Sequence, residues 1–478
     1  MKNYSCPICV DLDGTLIRTD SLYELFLRLV FEKPWRAFSC LMILFLKGIA
    51  PFKKRVAHYT NLDKFIFPYN TELFAFLEKK HKEGRELILV TAADEKVANY
   101  FSTKTGLFSS VMASQGEHNF NAHEKLKVLL DRYGEKGFDY IGNDVSDLII
   151  FFHARNFILV NASKQVIRKV KKIDPSLCLL DRKKKMVSSF LREIRIHQLF
   201  KNALIFIPLL LGQFYINIQK DILVLLAFIF FSCATSSVYL LNDLVDLHTD
   251  RVHHRKKLRP IAAGNFSLPL AFWLTPVLAI IAFVGAYFIQ FKFFLILLCY
   301  YFLTFGYSFF FKKMAIVDVF TLALLYTLRV LAGGFSICVA VSPWLLSFSL
   351  FFFLGLAYMK RYSELYNLRY VHSKKMVDKN YHAEEDLYSI MPLGIASNFI
   401  SVLVLALYIN SNEVKLLYKY PSVLWLAIIV VLYFINRLWF LAAKGQMSED
   451  PIVFLLKDKQ STFLFFITLI VILISNHI

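Results

Sequence analysis

Long apolar segments after about residue 200 constrain the fold of this chain more than any other feature of its sequence. A helix of about 20 apolar residues is long enough to cross a hydrocarbon core ~30 Å thick. Nine such segments are present, at about residues 203–219, 222–241, 268–289, 293–311, 316–340, 344–359, 390–409, 421–443 and 462–476. The preceding residues have ordinary soluble character. The sequence therefore predicts a soluble N-terminal part followed by an all-α polytopic membrane domain of nine transmembrane helices.

The loops between these segments differ in positive charge. Loops after the second, fourth, sixth and eighth segments hold 16 Lys and Arg, whereas those after the first, third, fifth and seventh hold four. Lys and Arg are retained on the cytoplasmic side of a membrane. We therefore expect an integral protein of the inner (plasma) membrane, with its N-terminal part in the cytoplasm and its C-terminus on the opposite side. No charged start followed by an apolar stretch indicates a signal peptide.

The net charge of +19 is concentrated in these loops and in the basic segment 164–185. Beside a bilayer, such a segment is typical of attraction to anionic lipid headgroups. No aromatic residues alternate with the charges in a nucleic-acid-binding pattern, so we expect no nucleic-acid partner. Cys6 and Cys9 form a CxxC motif without a second pair. We expect reduced thiols there, and not a zinc or redox centre.

Two aspartates follow the first apolar strand predicted near the N-terminus. Asp11 and Asp13 are separated by one residue, and Gly14 permits a tight turn after them. Such a pair suits phosphoryl transfer, because one carboxylate can attack phosphorus while the other gives and takes the proton of the leaving group. An ordinary turn is the simpler alternative for these residues taken alone.

Three later motifs follow apolar strand-like runs: one in "LILVTAADEKVA" and two in "HEKLKVLLDRYGEKGFDYIGNDVSDL". Together with "DLDGT" at residues 11–15, they resemble the four motifs of the haloacid dehalogenase-like (HAD) hydrolases. The resemblance implies an α/β Rossmann-like domain with a helical cap at about 20–80 and a Mg²⁺-dependent active site. It implies Asp11 as the nucleophile, Asp13 as the general acid/base, Thr91 and Lys125 as phosphate ligands, and metal ligands at Asp11, Asp13, Asp144 and Asp147. The fourth motif departs from the family because Asn143 replaces its first aspartate, which leaves an inactive or regulatory domain as an alternative.

The predicted cap contains the apolar stretch "AFSCLMILFLKGIAPFKK". Its apolar core of about ten residues is too short to span a bilayer. We expect it to lie against the membrane surface, with packing on the hydrolase domain as the alternative.

Four polar residues stand directly after the second apolar segment, in "NDLVDLHTDRVHH" at residues 242–254. If the helix continues, Asp246, Asp250 and Asp243 lie about 40°, 80° and 100° around its axis from Asn242. All four then share one face, which predicts a Mg²⁺ site that bridges to a substrate diphosphate. A helix cap balanced by the basic residues next to it is the simpler alternative.

The basic run after this motif is expected to complete the site. Lys256, Lys257 and Arg259 can hold anionic oxygens that Mg²⁺ leaves unpaired. Three histidines lie in the same stretch, at His248, His253 and His254. Their spacing fits no common zinc pattern, so we interpret them as polar residues of a charged loop.

The acidic motif resembles the first aspartate-rich motif, NDxxDxxxD, of the UbiA-type intramembrane prenyltransferase superfamily. The longer string "NDLVDLHTDRVHHRKKLRPIAAGN" is similar to its polyprenyl-phosphate phosphoribosyltransferase-like branch, with His254 in place of a proline. "LREIRIHQLFKN", "VDVFTLALLYTLRVLAGG", "KRYSEL" and "RLWFLAAKGQMSEDP" extend the resemblance. HAD-type domains fused ahead of such membrane domains also occur in this group. The resemblance implies a polar cavity faced by Arg195, Lys201, Asn202, Lys360, Arg361 and Glu364.

The loop at 360–389 lacks the second acidic motif, DxxxD, that aromatic prenyltransferases of the superfamily carry. Lys360 and Arg361 stand there instead, which suits a lipid phosphate as acceptor; anchoring at the cytoplasmic surface is their simpler role. We therefore predict transfer of phosphoribose from phosphoribosyl diphosphate to a polyprenyl phosphate, followed by removal of the 5-phosphate by the HAD domain.

Two alternatives remain open at this stage. One is prenyl transfer from a prenyl diphosphate to an aromatic or other acceptor, and the other is a non-catalytic lipid-binding or transport protein. The predicted domains are a HAD-like hydrolase at 1–160, a basic linker at 161–194 and a transferase domain at 195–478. The sequence predicts no particular oligomeric state or prenyl chain length.

Overall fold

The structure is a computed structural model of the 478-residue chain. It describes residues 6–116, 118–172, 178–180, 186–214, 217–370, 381, 385–447 and 450–477. The chain divides into two compact units. The first comprises Met1–Ile194 and Tyr239–Leu274, and the second comprises Arg195–Val238 and Thr275–Ile478. The segment that contains the acidic motif thus belongs to the same compact unit as the N-terminal residues.

A six-stranded parallel sheet forms the centre of the first unit. Its strands lie in the order β3-β2-β1-β4-β5-β6. They are β1 Ile8–Val10, β2 Leu87–Asp94, β3 Ser110–Ser114, β4 Asp139–Gly142, β5 Phe157–Leu159 and β6 Cys178–Leu179. Parallel sheets are covered on both faces, and successive side chains of β2 contribute to two different core clusters. The predicted α/β architecture of the N-terminal part is therefore present.

Nine helices accompany this sheet along the chain. They are α1 Ser21–Glu32, α2 Pro34–Lys47, α3 Ile49–Tyr59, α4 Thr71–Lys82, α5 Glu95–Thr105, α6 Ala122–Tyr133, α7 Leu148–His153, α8 Lys164–Lys171 and α9 Met186–Glu193. Asp20 caps α1 by accepting a hydrogen bond from the Tyr23 N–H. The helices α1–α3 occupy the region where the sequence predicts a helical cap. Residues 173–177 and 181–185 of the predicted basic segment lie outside the described residues.

The remaining helices continue the chain to its end. They are α10 Ile196–Leu199, α11 Ile207–Leu211, α12 Ile218–Val245, α13 Leu247–Val252, α14 Leu268–Ile289, α15 Phe291–Phe309, α16 Val317–Ser336, α17 Pro343–Tyr370, α18 Asp386–Ile409, α19 Asn412–Leu417, α20 Leu424–Ala443, α21 Pro451–Lys457 and α22 Lys459–His477. The second unit is all-helical, as the sequence predicts for the membrane domain.

Seven helices of the described chain are long and apolar enough to cross a membrane: α12, α14, α15, α16, α17, α18 and α20. They correspond to the second to eighth predicted segments, so the number of nine is not confirmed. The first predicted segment is interrupted, because a 3₁₀ helix at Phe200–Phe206 precedes the five-residue α11. The ninth corresponds to an apolar helix that is shorter by the same measure, Lys459–Ser475.

Glycines allow close packing between helices of the second unit. A Cβ atom on Gly333 would lie 2.0 Å from the backbone oxygen of Ile205, so α16 packs directly against the 3₁₀ helix. Small residues at such crossings are characteristic of membrane helices, because they let backbones approach. This contact fixes the position of Asn202, a predicted site residue of the same 3₁₀ helix.

Candidate active sites

The carboxyl ends of β1 and β4 bring the predicted HAD residues together. Asp11 and Asp13 follow β1, Asn143 follows β4, and Lys125 is on α6. A cavity of about 410 Å³ is lined in part by Asp11, Asp13, Lys125, Asn143, Asp144 and Asp147. Ligands of open parallel sheets bind at this edge of the strands. The cavity is therefore lined by Asn143 and by every residue that the HAD resemblance implies except Thr91.

Asp11 and Lys125 form a buried ion pair. The Lys125 Nζ lies 2.7 Å from Asp11 Oδ1, and both residues are buried. Burial raises the pKa of Asp11, and the Lys125 charge opposes that rise. Burial acts to lower the pKa of Lys125, but the charges of Asp11 and Asp147 outweigh it and raise the pKa. Lys125 thus stays cationic, and its charge limits the rise in the pKa of Asp11.

Asp13 is in an environment that favours its protonated form. Burial and the nearby Asp20 carboxylate raise the pKa of Asp13 to about 7, although the Ser21 N–H donates to Asp13 Oδ1 at 2.7 Å. A general acid is most effective when its pKa lies near the working pH. The environment of Asp13 is compatible with the predicted role of general acid/base, and the roles of both aspartates stay predictions.

The loop after β4 is organised by Asp147. Its Oδ2 accepts hydrogen bonds from the N–H groups of Asn143 and Asp144, both at 3.1 Å, and its Oδ1 accepts one from the Tyr140 hydroxyl. Burial, with the charge of Asp11, raises the pKa of Asp147 to about 6. Asp144 is exposed. Asp147 thus holds the loop in shape, and its role as a metal ligand stays a prediction.

Asn143 lies over the turn at Gly14. The Thr15 hydroxyl donates to Asn143 Oδ1 at 3.2 Å, and a Cβ on Gly14 would lie 2.1 Å from Asn143 Nδ2. Gly14 also has a φ of 76°, so no other residue fits this turn without strain. The amide that replaces the usual aspartate therefore packs into the motif and leaves its geometry intact.

Thr91 was predicted to line the cavity but does not, whereas Lys53 lines it but was not predicted. Thr91 is fully buried, and its hydroxyl accepts a hydrogen bond from the Ala93 N–H at 3.0 Å. It does not line the cavity, so its phosphate contact stays a prediction. Lys53 of α3 lines the cavity and donates to the Ala92 oxygen at 2.7 Å. The sequence carried no signal for Lys53, because it comes from the cap.

The acidic motif lies on an almost continuous helix. The N–H of Asp246 donates to the oxygen of Asn242, and the N–H of Asp250 donates to the oxygen of Asp246, both at 2.8 Å. Helical hydrogen bonding therefore passes from α12 into α13, although Asp246 itself lies between the two helices. Asp243 and Asp250 are buried, and Asn242 and Asp246 are half-buried. The shared face of the four residues stays a prediction, because the helix is interrupted at Asp246.

Arg259 joins two carboxylates of this motif. Its Nη1 donates to Asp243 Oδ1 at 2.7 Å and to Asp250 Oδ2 at 2.5 Å, and Lys256 Nζ lies 3.6 Å from Asp250 Oδ1. Arg259 and Lys256 of the basic run thus contact the acidic stripe directly. By acidic stripe we mean Asn242, Asp243, Asp246 and Asp250. One cationic nitrogen therefore bonds carboxylates from two different turns of the motif.

The donor atoms in both sites suit Mg²⁺. Within the described residues, no group of three or more His, Cys, Asp or Glu side chains is arranged to hold a metal ion. Mg²⁺ needs fewer protein ligands, because it keeps several waters and binds through one or two carboxylates together with substrate phosphates. Asp11 with Asp13, and Asp243 with Asp250, provide such pairs.

His248 packs against the N-terminal part of its unit. Its ring meets the ring of Phe65 edge-on, with the centroids 4.7 Å apart. Burial and the charges of Arg251 and Arg28 lower the pKa of His248 to about 3. His248 is therefore neutral at physiological pH. His253 and His254 are exposed on the loop.

In the second unit, Asn202 belongs to a buried polar network. Its Oδ1 accepts from Arg329 Nε at 3.0 Å, and its Nδ2 donates to the Ser232 hydroxyl. Arg329 also donates to the Tyr300 hydroxyl at 2.7 Å. Arg329 is in the quoted stretch "TLRVLAGG", but its central place in this network was not predicted. A buried arginine among spanning helices indicates a functional or organising role.

Lys201 and Lys360 are both associated with Asp450. Lys201 forms an ion pair with Asp450, and Asp450 and Glu364 act electrostatically on Lys360. The two lysines, predicted from separate motifs, are thus linked through one carboxylate. Asp450 was not among the predicted residues, although it lies in the quoted "SEDP".

Arg361 is held by acidic groups of its own unit. It forms ion pairs with Asp318 and with Glu364, and the Tyr381 hydroxyl donates to Asp318 Oδ1 at 2.7 Å. Arg361 is buried, whereas Lys360 is half-buried. Lys360 is therefore the more accessible of the two cations. Arg195 is half-buried and has a left-handed φ of 54° before α10.

Comparisons with known proteins identify relatives of the whole chain and of its parts. The uncharacterized protein y4nM of Sinorhizobium fredii is 33% identical over 461 residues, which cover 96% of this chain and 89% of that protein. The decaprenyl-phosphate phosphoribosyltransferase of Mycobacterium tuberculosis is 33% identical over 185 residues, or 38% of this chain and 61% of that protein.

A solved HAD family hydrolase from Salmonella enterica covers 34% of this chain and 65% of its own, with 14% identity and a TM-score of 0.26. The model of the UbiA prenyltransferase family matches residues 205–454, which is more than half of the chain. The match includes the acidic motif, the basic run and most of the spanning helices. The chain is thus an integral membrane transferase that belongs to the UbiA prenyltransferase family.

Proposed function

We propose that this chain transfers phosphoribose from phosphoribosyl diphosphate to a polyprenyl phosphate at the cytoplasmic face of the plasma membrane. The observation that carries the proposal is the convergence of Asp243 and Asp250 on one cationic nitrogen at the end of a spanning helix. A diphosphate is the substrate group that such paired carboxylates bind through Mg²⁺. The relative named decaprenyl-phosphate phosphoribosyltransferase supports the choice of donor and acceptor.

The donor is assigned to the acidic stripe and its basic neighbours. Asp243 and Asp250, with Asn242 and Asp246 of the same motif, would hold Mg²⁺, and Lys256 and Arg259 would contact the remaining diphosphate oxygens. In this site, as in the HAD site, a bound Mg²⁺ would supply positive charge to the phosphate oxygens. The acceptor oxygen forms a bond to C1 of the ribose while the bond from C1 to the diphosphate breaks, and pyrophosphate leaves with the electron pair.

The acceptor phosphate is assigned to Lys201 and Lys360. These residues provide two positive charges near Asp450, and a lipid phosphate can bind lysines as point charges without a second metal site. The loop at 360–389 has no DxxxD motif to bind a prenyl diphosphate. The charges therefore favour a polyprenyl phosphate over a prenyl diphosphate as the lipid substrate.

The transfer reaction can be tested with two labels. Purified protein in vesicles that contain polyprenyl phosphate is given Mg²⁺ and either ribose-labelled phosphoribosyl diphosphate or labelled prenyl diphosphate. Only the ribose label should enter the lipid fraction, and Asp246→Ala should reduce its incorporation at least about 100-fold. Asp221→Ala is the matched control, because Asp221 lies in the first turn of the same helix, α12.

Other outcomes identify other functions. Entry of the prenyl label into an aromatic or other acceptor would establish prenyl transfer instead. Binding of polyprenyl phosphate without incorporation of either label would indicate a lipid-binding or transport protein. Equal incorporation by wild type and Asp246→Ala would contradict the assigned metal site.

We further propose that the HAD site removes the 5-phosphate from the lipid-linked product. Asp11 attacks the phosphorus, the ester bond breaks, and Asp13 gives its proton to the departing ribose oxygen. Water then attacks the phosphoryl group on Asp11, Asp13 takes the proton from that water, and inorganic phosphate leaves. The ion pair with Lys125 and the raised pKa of Asp13 support these separate roles.

A further inference from the structure

The cavity around Asp11 and Asp13 is not built from the N-terminal residues alone. Its lining includes the consecutive residues 264–269, which follow the acidic and basic motifs of the transferase sequence. Gly264 and Asn265 begin this segment and Leu268 and Pro269 end it. Both parts belong to the same compact unit. A segment of the family-matched transferase region therefore supplies one wall of the hydrolase cavity.

A buried ion pair holds this region in place. Arg251 donates to both oxygens of Glu24, at 2.8 and 2.7 Å, and to the backbone oxygen of Ile66 at 2.6 Å. Arg251 also donates to the Ala262 oxygen at 2.9 Å, two residues before the wall begins. Both charged residues are buried. Paired guanidinium–carboxylate bonds of this kind fix orientation as well as position.

Gly264 fits closely against the residues that follow Asp13 in sequence. A Cβ atom there would lie 2.7 Å from Arg18 Cβ and 3.1 Å from Thr19 Cγ2, and the φ of Gly264 is 71°. Thr19 in turn hydrogen-bonds to Glu24, the partner of Arg251. The wall is therefore fitted to the hydrolase loop by shape and is also fixed by charge.

The wall also leads directly into a spanning helix. Leu268 and Pro269 are the first residues of α14, which is long and apolar enough to cross a membrane. Phe266 is buried, and its ring stacks with Phe190 of α9. A phosphate held at Asp11 thus lies in a cavity whose wall includes the start of a membrane helix.

We propose that residues 264–269 select the substrate of the HAD site, favouring phosphomonoesters carried by membrane lipids over soluble ones. The proposal rests on the phosphatase function proposed above and specifies its substrate class. A soluble sugar phosphate has no prenyl chain that could contact the spanning helix at the end of this wall, whereas a lipid-linked sugar phosphate has one. The wall links the two activities, because the product of the transferase is the preferred substrate of the hydrolase.

Two substrates with the same phosphomonoester test this selectivity. Full-length protein in detergent micelles is given either a prenyl-phosphoryl ribose 5-phosphate or free ribose 5-phosphate, and phosphate release is measured. The wild type should have a kcat/KM at least about tenfold higher for the lipid-linked substrate. Asp11→Asn should abolish hydrolysis of both, which tests the phosphatase function separately from its selectivity.

Gly264→Ala tests the wall itself. The new methyl group displaces residues 264–269 from Arg18 and Thr19, so the preference for the lipid-linked substrate should fall about tenfold. Gly84→Ala is the matched control, because Gly84 also has a positive φ of 78° but a Cβ there meets nothing within 4 Å. Its substrate preference should equal that of the wild type.

A second variant guards against a general folding defect. Asn265→Ala shortens a cavity-lining side chain without adding volume, and it should also lower the preference while leaving the thermal unfolding temperature near the wild-type value. If both wall variants retain the wild-type preference, or if the wild type hydrolyses the two substrates equally, the proposal is wrong. If Asp11→Asn still hydrolyses both substrates, the proposed phosphatase function of this site is wrong, whatever substrate preference the wall variants show.

Discussion

At the scale of single residues, Asp13 shows how burial and a neighbouring charge change the pKa of a carboxyl group. Burial and the charge of Asp20 raise the pKa of Asp13 to about 7. In the proposed phosphatase reaction, cleavage of the ester bond requires protonated Asp13, so the rate of that step should fall as the pH rises through that pKa. The charge of Asp20 disfavours ionisation of Asp13, and its removal should lower the pKa.

Asp20→Asn should therefore shift the alkaline limb of the phosphatase pH–rate profile to lower pH, by roughly one unit. Asparagine can still cap α1, so the helix start should be preserved. Asp131→Asn, at an exposed position of α6, is the control and should leave the profile in place. An unchanged or upward-shifted limb in Asp20→Asn would show that Asp20 does not act on the catalytic proton.

Lys360 and Arg361 are adjacent in sequence but should have separable roles. Arg361→Ala leaves the buried Asp318 without its guanidinium partner, which should reduce folding stability by about 3–5 kcal/mol. Lys360→Ala should keep a near-wild-type unfolding temperature but lose most of the transfer activity. Thermal unfolding in detergent, together with the transfer assay, measures both. An Arg361→Ala protein of normal stability and no activity would instead assign Arg361 to the substrate.

At the scale of elements, α2 presents an apolar face that the rest of the described structure does not cover. Trp35 is 86% exposed and Phe45 83% exposed, and Phe38, Met42 and Leu46 are exposed as well. Their spacing places these residues along one side of the helix, and Lys33, Arg36 and Lys47 lie beside them. This pattern is typical of a helix lying in a membrane interface, as we expected for the cap.

Trp35 should therefore contact lipid. In nanodiscs that contain nitroxide-labelled lipids, tryptophan fluorescence should be quenched more in the wild type than in Trp35→Phe, because the variant lacks the interfacial indole. The other four tryptophans of the chain are common to both proteins and cancel in the comparison. If iodide in the aqueous phase removes the Trp35 signal while lipid nitroxides do not, α2 faces water.

Elements were predicted most accurately where one periodic pattern dominates. The helix that leads into Asn242 and the strand before Asp11 both followed from their apolar runs, whereas the interruption at Asp246 was not predicted. The partners of these residues were harder to predict. Arg259 contacts Asp243 only because the loop between them turns back. Arg251 contacts Glu24, which is far from it in sequence. Lys53 was missed for the same reason.

At the scale of the whole molecule, the charge distribution predicts which side of the membrane each terminus occupies. Seven helices meet the criteria of length and composition, and shorter apolar helices lie near both ends of the matched region. If both short helices cross, or neither does, the termini are on opposite sides. A C-terminal alkaline phosphatase fusion should be active and an N-terminal green fluorescent protein fusion should be fluorescent. An inactive C-terminal alkaline phosphatase fusion or a non-fluorescent N-terminal fusion would contradict the predicted orientation.

The two-part architecture was predictable from composition, but the organisation of the compact units was not. Residues 239–274 belong by sequence to the transferase, yet they form a compact unit with the N-terminal residues. The reason is local fit: Gly264 meets Arg18 and Thr19, and Arg251 meets Glu24. Neither contact leaves a periodic signal in the sequence. The wall of the HAD cavity was therefore visible only in the structure.

The central claim is that one chain forms a lipid-linked ribose phosphate and then removes its phosphate. Mass spectrometry of the lipid product, made from phosphoribosyl diphosphate, polyprenyl phosphate and Mg²⁺, tests it directly. We predict polyprenyl-phosphoryl ribose from the wild type, the same lipid with its 5-phosphate retained from Asp11→Asn, and no ribosylated lipid from Asp246→Ala. An identical phosphorylated product from the wild type and Asp11→Asn, or a ribosylated lipid from Asp246→Ala, would contradict the claim.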